Sequence, residues 1–207
     1  MKNRKYYLCT LILAILGGAV IGIGGVVYLS LENKVVGALM FTVGLYTIVV
    51  HGLNLYTGKV GYIPNNPPVY LVDVAVIWIG NFIGTWLAAQ AVMKTRISGL
   101  AEAVTGMCQV KLNDSFMSLL ILGIFCGALM YIAVEGYKQA NNPVILFVCV
   151  ATFILCGFEH CIADMFYFSL GKVWSLDTLL RTMVISVANG IGGCLIPFAK
   201  KWNRSIV

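Results

Sequence analysis

His160 and Asp164 stand four residues apart inside an otherwise apolar run, with Glu159 beside the histidine. Ionisable groups are costly near the middle of a bilayer, so those that occur there face a cavity or a partner. Four-residue spacing on a helix puts the imidazole and the carboxylate on one face, where the carboxylate favours a charged ring. The chemistry this suggests is proton donation or anion contact in a pore; the plain alternative is a buried pair that ties helices together. Glu159 points elsewhere, and its expected work is structural, bonding backbone groups freed by a helix break. Thr57, between Tyr56 and Gly58, could donate to a permeating anion beside exposed backbone N–H groups, or simply cap the next helical turn. Asn189, in Asn189-Gly190-Ile191-Gly192-Gly193, suits bonding to the broken backbone of a neighbour. Lys111 alone reads as an ordinary loop lysine.

The elements that must position these residues follow from composition. Of 207 residues, 60% are hydrophobic and only 11% charged, and the mean hydropathy is +0.91. A soluble domain carries far more charge, so the reading is an all-α, multi-pass membrane protein with one transmembrane domain, 1–207. The net charge of +6 calls for no nucleic acid, because basic residues gather at the ends: Lys2, Arg4 and Lys5, then Lys200, Lys201 and Arg204. That places both termini on the cytoplasmic side of the cell (inner) membrane. The basic start mimics a signal peptide but lacks a small-residue cleavage site, so a retained first helix is expected. The seven cysteines (9, 108, 126, 149, 156, 161 and 194) form no Cys-x-x-Cys pair and read as packing residues.

Six apolar spans can be drawn, at about 8–31, 35–58, 69–93, 115–134, 143–171 and 179–200. Gly18 and Gly22 suit tight helix or subunit packing. The loop 61–68 with Pro64, Pro67 and Pro68 is expected to be irregular, and 94–114 is expected to be a polar link. Three spans in each half, 1–100 and 101–207, imply an inverted 3+3 repeat, with a site on helices two and five, broken at 51–59 and 157–160.

Leu55-Tyr56-Thr57-Gly58, Gly157-Phe158-Glu159-His160-Cys161-Ile162-Ala163-Asp164-Met165 and Asn189-Gly190-Ile191-Gly192-Gly193 resemble motifs of the formate/nitrite transporter family: Leu-Phe-Thr-Gly-Asn, Gly-Phe-Glu-His-Ser-x-Ala-Asn-Met and Asn-x-x-Gly-Gly. The resemblance implies homopentamers of six-helix protomers with an aquaporin-like fold and one pore per protomer. By position His160 matches the family's central pore histidine and Thr57 its Ω-loop threonine. Lys111, sixteen residues before Gly127, matches a lysine whose charge acts on the histidine region. Phe41 and Phe153 match the outer constriction; Leu45, Leu55 and Tyr56 match the cytoplasmic one. Asp164 stands where the family usually has Asn, Gly127 where Asn is common, and Tyr56 where it has Phe. The extra carboxylate either holds His160 protonated or repels anions.

The resulting expectation is a channel or transporter for small monovalent weak-acid anions, formate or nitrite first, with proton-linked passage at His160. It expects no enzyme activity, cofactor or metal, and takes as partners the small anion, the bilayer and copies of itself. Hydrosulfide or another small anion is the alternative on the same fold. A neutral-solute pore is a rival weakened by the absence of Asn-Pro-Ala boxes. An intramembrane metalloenzyme using His160, Cys161 and Asp164 is a second rival, short of the three or four ligands a metal needs.

Overall fold

The computed structural model describes residues 2–206, the side chains of Arg204 and Ile206 excepted. A chain this apolar must satisfy its backbone polar groups within each segment, which in lipid means helices, and every regular element among the described residues is helical. They are α1 (Arg4–Ser30), α2 (Lys34–Val50), α3 (Tyr56–Lys59), α4 (Tyr70–Met93), α5 (Leu100–Asn113), α6 (Phe116–Ala140), α7 (Val144–Leu155), α8 (Cys161–Leu170) and α9 (Leu176–Ile206), with a 3₁₀ helix at Val60–Asn65. Four of them, α1, α4, α6 and α9, are long and apolar enough to cross a membrane; α2, α7 and α8 are shorter apolar helices.

Local sequence sets the boundaries. Asn3, Asn33 and Ser115 each accept from a backbone N–H one turn on and start α1, α2 and α6. Asn141 ends α6 in the left-handed region at φ 48°. Two expectations need correcting. The stretch 94–114 is not just a polar link: α5 occupies most of it, because Val104 and Cys108 form a buried stripe that gives a short amphipathic helix something to pack on. Within the proline loop, Val60–Asn65 winds as a 3₁₀ helix that holds Pro64.

α1 packs mainly on α4 and α2, while α6 packs mainly on α9 and α7. Close backbone approach explains the glycines at both crossings. A Cβ on Gly18 would stand 2.2 Å from the Asn81 carbonyl oxygen of α4, and one on Gly127 would stand 2.1 Å from the Asn189 carbonyl oxygen of α9. α2 and α7 lie against each other, and α8 runs along α4 and α1. α3 lies against α6 and α9, and the 3₁₀ helix lies against α9.

Candidate functional site

The two interruptions are built alike. α2 stops at Val50 and α7 at Leu155. Gly52 (φ +65°) and Gly157 (φ +68°) then turn the chain through the left-handed region. The next N–H reaches back to close each helix, Leu53 to the Ile48 carbonyl and Phe158 to the Phe153 carbonyl, both at 2.9 Å. That is the Schellman arrangement, which glycine adopts without a Cβ penalty.

A buried asparagine holds the far side of each break. Asn189 Nδ2 donates to the Gly123 and Glu159 carbonyls at 2.8 Å, and its Oδ1 accepts from the Cys161 N–H at 3.0 Å. Asn81 Nδ2 donates to the Ala14 and Asn54 carbonyls, and its Oδ1 accepts from the Tyr56 N–H at 2.8 Å. Each amide thus uses both ends of its side chain to pair groups that a broken helix leaves open. The contacts of Asn189 are of the kind expected from its motif. Asn81 belongs to no motif, and its place midway along the apolar third span is the signal in the sequence that points to it.

His160 is buried, 2% exposed, and sits at the N-cap of α8 rather than inside the helix. Its Nδ1 accepts from the Ala163 N–H at 3.1 Å. In the neutral ring the hydrogen is therefore on Nε2, and Nε2–H donates to Thr57 Oγ1 at 2.9 Å. Thr57 does not cap α3; Leu55 occupies that position. Phe153 stacks on the imidazole, with ring centroids 5.4 Å apart and planes 19° apart, and Phe41 meets Phe153 edge-on at 6.1 Å.

The expected pairing of Asp164 with His160 does not form through the side chains. With the histidine at the cap, the two residues share a backbone bond, Asp164 N–H to the His160 carbonyl at 2.9 Å. The carboxylate turns to Lys111, whose Nζ stands 2.9 Å from Asp164 Oδ1 and 2.5 Å from Glu159 Oε2. Glu159 likewise departs from expectation: its side chain bonds no freed backbone group, because the lysine takes it. Lys111 follows Val104 and Cys108 on the inner stripe of α5. Arg181 of α9 fixes the end of that helix, its guanidinium donating to the carbonyls of Lys111 and Asp114 at 3.2 and 2.6 Å. For Arg181, nothing in its surroundings in the chain points seventy residues back to α5.

Two cavities gather most of the singled-out residues. One, of about 230 Å³, is lined by Phe41, Phe153, His160, Lys111, Glu159 and Asp164 among others. The other, of about 70 Å³, is lined by Leu45, Leu55, Lys59 and Lys138 among others. The His160–Thr57 bond ties the segment lining the first to the segment lining the second. Tyr56 is not with Leu45 and Leu55. At the first position of α3 its ring turns toward α4 and α9, lining a cavity with Trp78 and Met183, and its hydroxyl donates to the Ser186 carbonyl at 2.8 Å. Among the described residues no three His, Cys, Asp or Glu side chains gather as a metal site.

Comparisons with known proteins point one way. The sequence profile described as formate/nitrite transporter matches residues 2–202. Formate channel FocA of Haemophilus influenzae is 26% identical over 160 residues, covering 68% of this chain and 55% of that protein. Formate channel FocA of Escherichia coli K12 is 28% identical over 199 residues, covering 83% and 69%. Formate channel BtFdhC of Bacillus thuringiensis is 28% identical over 214 residues, covering 88% and 82%. The chain therefore spans little more than half of the Haemophilus protein. Its fold superposes on a solved pentameric formate channel with formate bound at a TM-score of 0.85, with 22% identity and both chains covered in full.

Proposed function

The chain belongs to the formate/nitrite transporter family, a family of membrane channels and transporters rather than enzymes, and from that premise we propose that it conducts a small monovalent weak-acid anion, formate or nitrite first. The observation that carries the reading is the His160–Thr57 pair, a buried donor set between the Phe41–Phe153 cavity and the Leu45–Leu55 cavity. A bare anion loses far too much hydration to enter an apolar constriction. Lys111 supplies the attracting charge on one side, although two carboxylates share it. At the centre the passenger accepts a hydrogen bond from the hydroxyl of Thr57, whose oxygen takes the His160 Nε2–H, and passage there is linked to a proton, so that neutral acid crosses the apolar walls.

The architecture we propose around this path is six spans in an inverted 3+3 repeat with an aquaporin-like arrangement, helices two and five being the broken pairs α2/α3 and α7/α8. The matched glycine turns, asparagine clamps and glycine crossings support it. The assembly is a homopentamer in the inner membrane, both termini cytoplasmic, by likeness to the pentameric channel and by the basic residues at both ends.

Flux into proteoliposomes tests the function, with formate, nitrite, hydrosulfide, acetate and lactate offered at several pH values. Formate and nitrite enter, faster as the outside is made more acidic, and His160→Asn flattens that dependence. Entry of hydrosulfide alone selects the alternative anion. Water or glycerol permeation without any anion flux rejects the reading.

A further inference from the structure

One cation and two carboxylates meet at a single face of the larger cavity. Lys111 Nζ contacts both Glu159 and Asp164, and with all three ionised the group carries one negative charge. Asp164 is 1% exposed, and its Oδ2 is buried with no hydrogen-bond partner. An uncompensated ionised oxygen in such a place is among the most costly arrangements an interior can hold. Among the described residues no ion pair other than those with Lys111 reaches either carboxylate. Cys108 of α5, Cys126 of α6 and Tyr167 of α8 lie near the group, and Tyr28 of α1 lines the same cavity. The His160 ring is engaged by Thr57 and the Ala163 amide, and Arg181 is spent on the α5 carbonyls and Asp177.

We propose that Glu159 and Asp164 share one proton about Lys111, and that this store protonates the weak-acid anion in the cavity. The inference rests on the transport reading above and names the source of its proton. In the step, the carboxyl O–H bond breaks and the proton forms a new bond to the anion. The anion becomes a neutral acid, both carboxylates are left ionised, and the store refills with a proton delivered by hydronium at the cavity mouth, which leaves water. The ionised state stays within reach because Lys111 remains between the carboxylates and Asp164 lies in the first turn of α8, where the helix dipole favours negative charge. His160 is the poorer source: to become an imidazolium its Nδ1 must give up the Ala163 amide. The store selects anions basic enough to take a proton, such as formate, over anions of strong acids.

The test combines infrared spectroscopy and flux on the full chain in liposomes. Wild-type protein at neutral pH shows the carbonyl band of a protonated carboxylic acid, and D164N loses it. D164N still moves formate, but the ratio of its flux at two pH values one unit apart changes at least threefold from wild type. E159Q serves as the second variant and loses the band as well. A wild type without the acid band that moves formate overturns the store and leaves the transport reading standing. So does a D164N protein with the wild-type pH profile. A wild type that moves no weak-acid anion overturns the transport reading, and the donor role with it, whatever the band shows.

Discussion

At His160 the two ring nitrogens have opposite duties, Nδ1 accepting from Ala163 and Nε2–H donating to Thr57. Thr57→Val removes the acceptor and leaves a buried N–H unpaired, a cost of about 1–3 kcal/mol. Formate flux in proteoliposomes is expected to fall about tenfold, the equivalent of ~1.4 kcal/mol in a barrier, and Thr57→Ser is expected to restore most of it. If the valine variant conducts as well as wild type, the pair is structural only. Lys111→Met tests the neighbouring group differently, since two buried carboxylates then lose their cation. Breaking a buried pair from one side costs about 3–5 kcal/mol, so the purified variant should melt well below wild type as well as lose flux. At this scale the sequence was partly legible. The polar residue types and their place in apolar runs marked His160 and Asp164. The partner of Asp164 was not legible, because four-residue spacing was read as a shared helix face while His160 stands at the cap, and because the lysine lies 53 positions away in the chain.

Between elements, the two breaks depend on Asn81 and Asn189 and on glycines of two different kinds. Asn189→Leu leaves the Cys161 N–H and the Gly123 and Glu159 carbonyls buried without their partner. Each such group costs about 1–3 kcal/mol, so little folded protein is expected by size-exclusion chromatography. The glycines separate a packing demand from a conformational one. Gly127→Ala drives a Cβ into the Asn189 backbone at 2.1 Å, and the α6–α9 crossing has to open, so this variant too should fail to fold. Gly157→Ala meets nothing within 4 Å but must hold φ +68°. The left-handed conformation costs about 1–2 kcal/mol, and a thermal melt should show a drop of roughly 2–4 °C for each kcal/mol. Equal losses for the two variants would contradict this division. Both interruptions could be placed from glycine and polar residues inside apolar runs. α5 could not, because its buried stripe is short and its other face is polar, a pattern that outside its fold looks like a link.

Across the whole molecule, the contacts of the candidate site join segments far apart in the chain. His160 meets Thr57, Lys111 meets Glu159 and Asp164, and each break is held by its own asparagine. Outside the site, α9 presents Met183, Val187, Ile191, Leu195 and Phe198 along one exposed stripe, and α1 presents Leu8, Ile12 and Leu16. Such faces are covered by lipid or by another copy. The proposed pentamer would use these faces to hold protomers side by side, with one path in each. That separation has a measurable consequence when wild-type and Thr57→Val chains are co-expressed and purified as mixed pentamers. If each protomer conducts alone, formate flux falls linearly with the fraction of variant chains. If the path ran between protomers, one variant chain would impair all of its neighbours and the fall would be much steeper at low fractions. Native mass spectrometry of the same samples, counting copies of the 22.5 kDa chain, fixes the mixing ratio in each assembly. A steep curve in confirmed pentamers would move the conducting path away from His160 and into the space between chains.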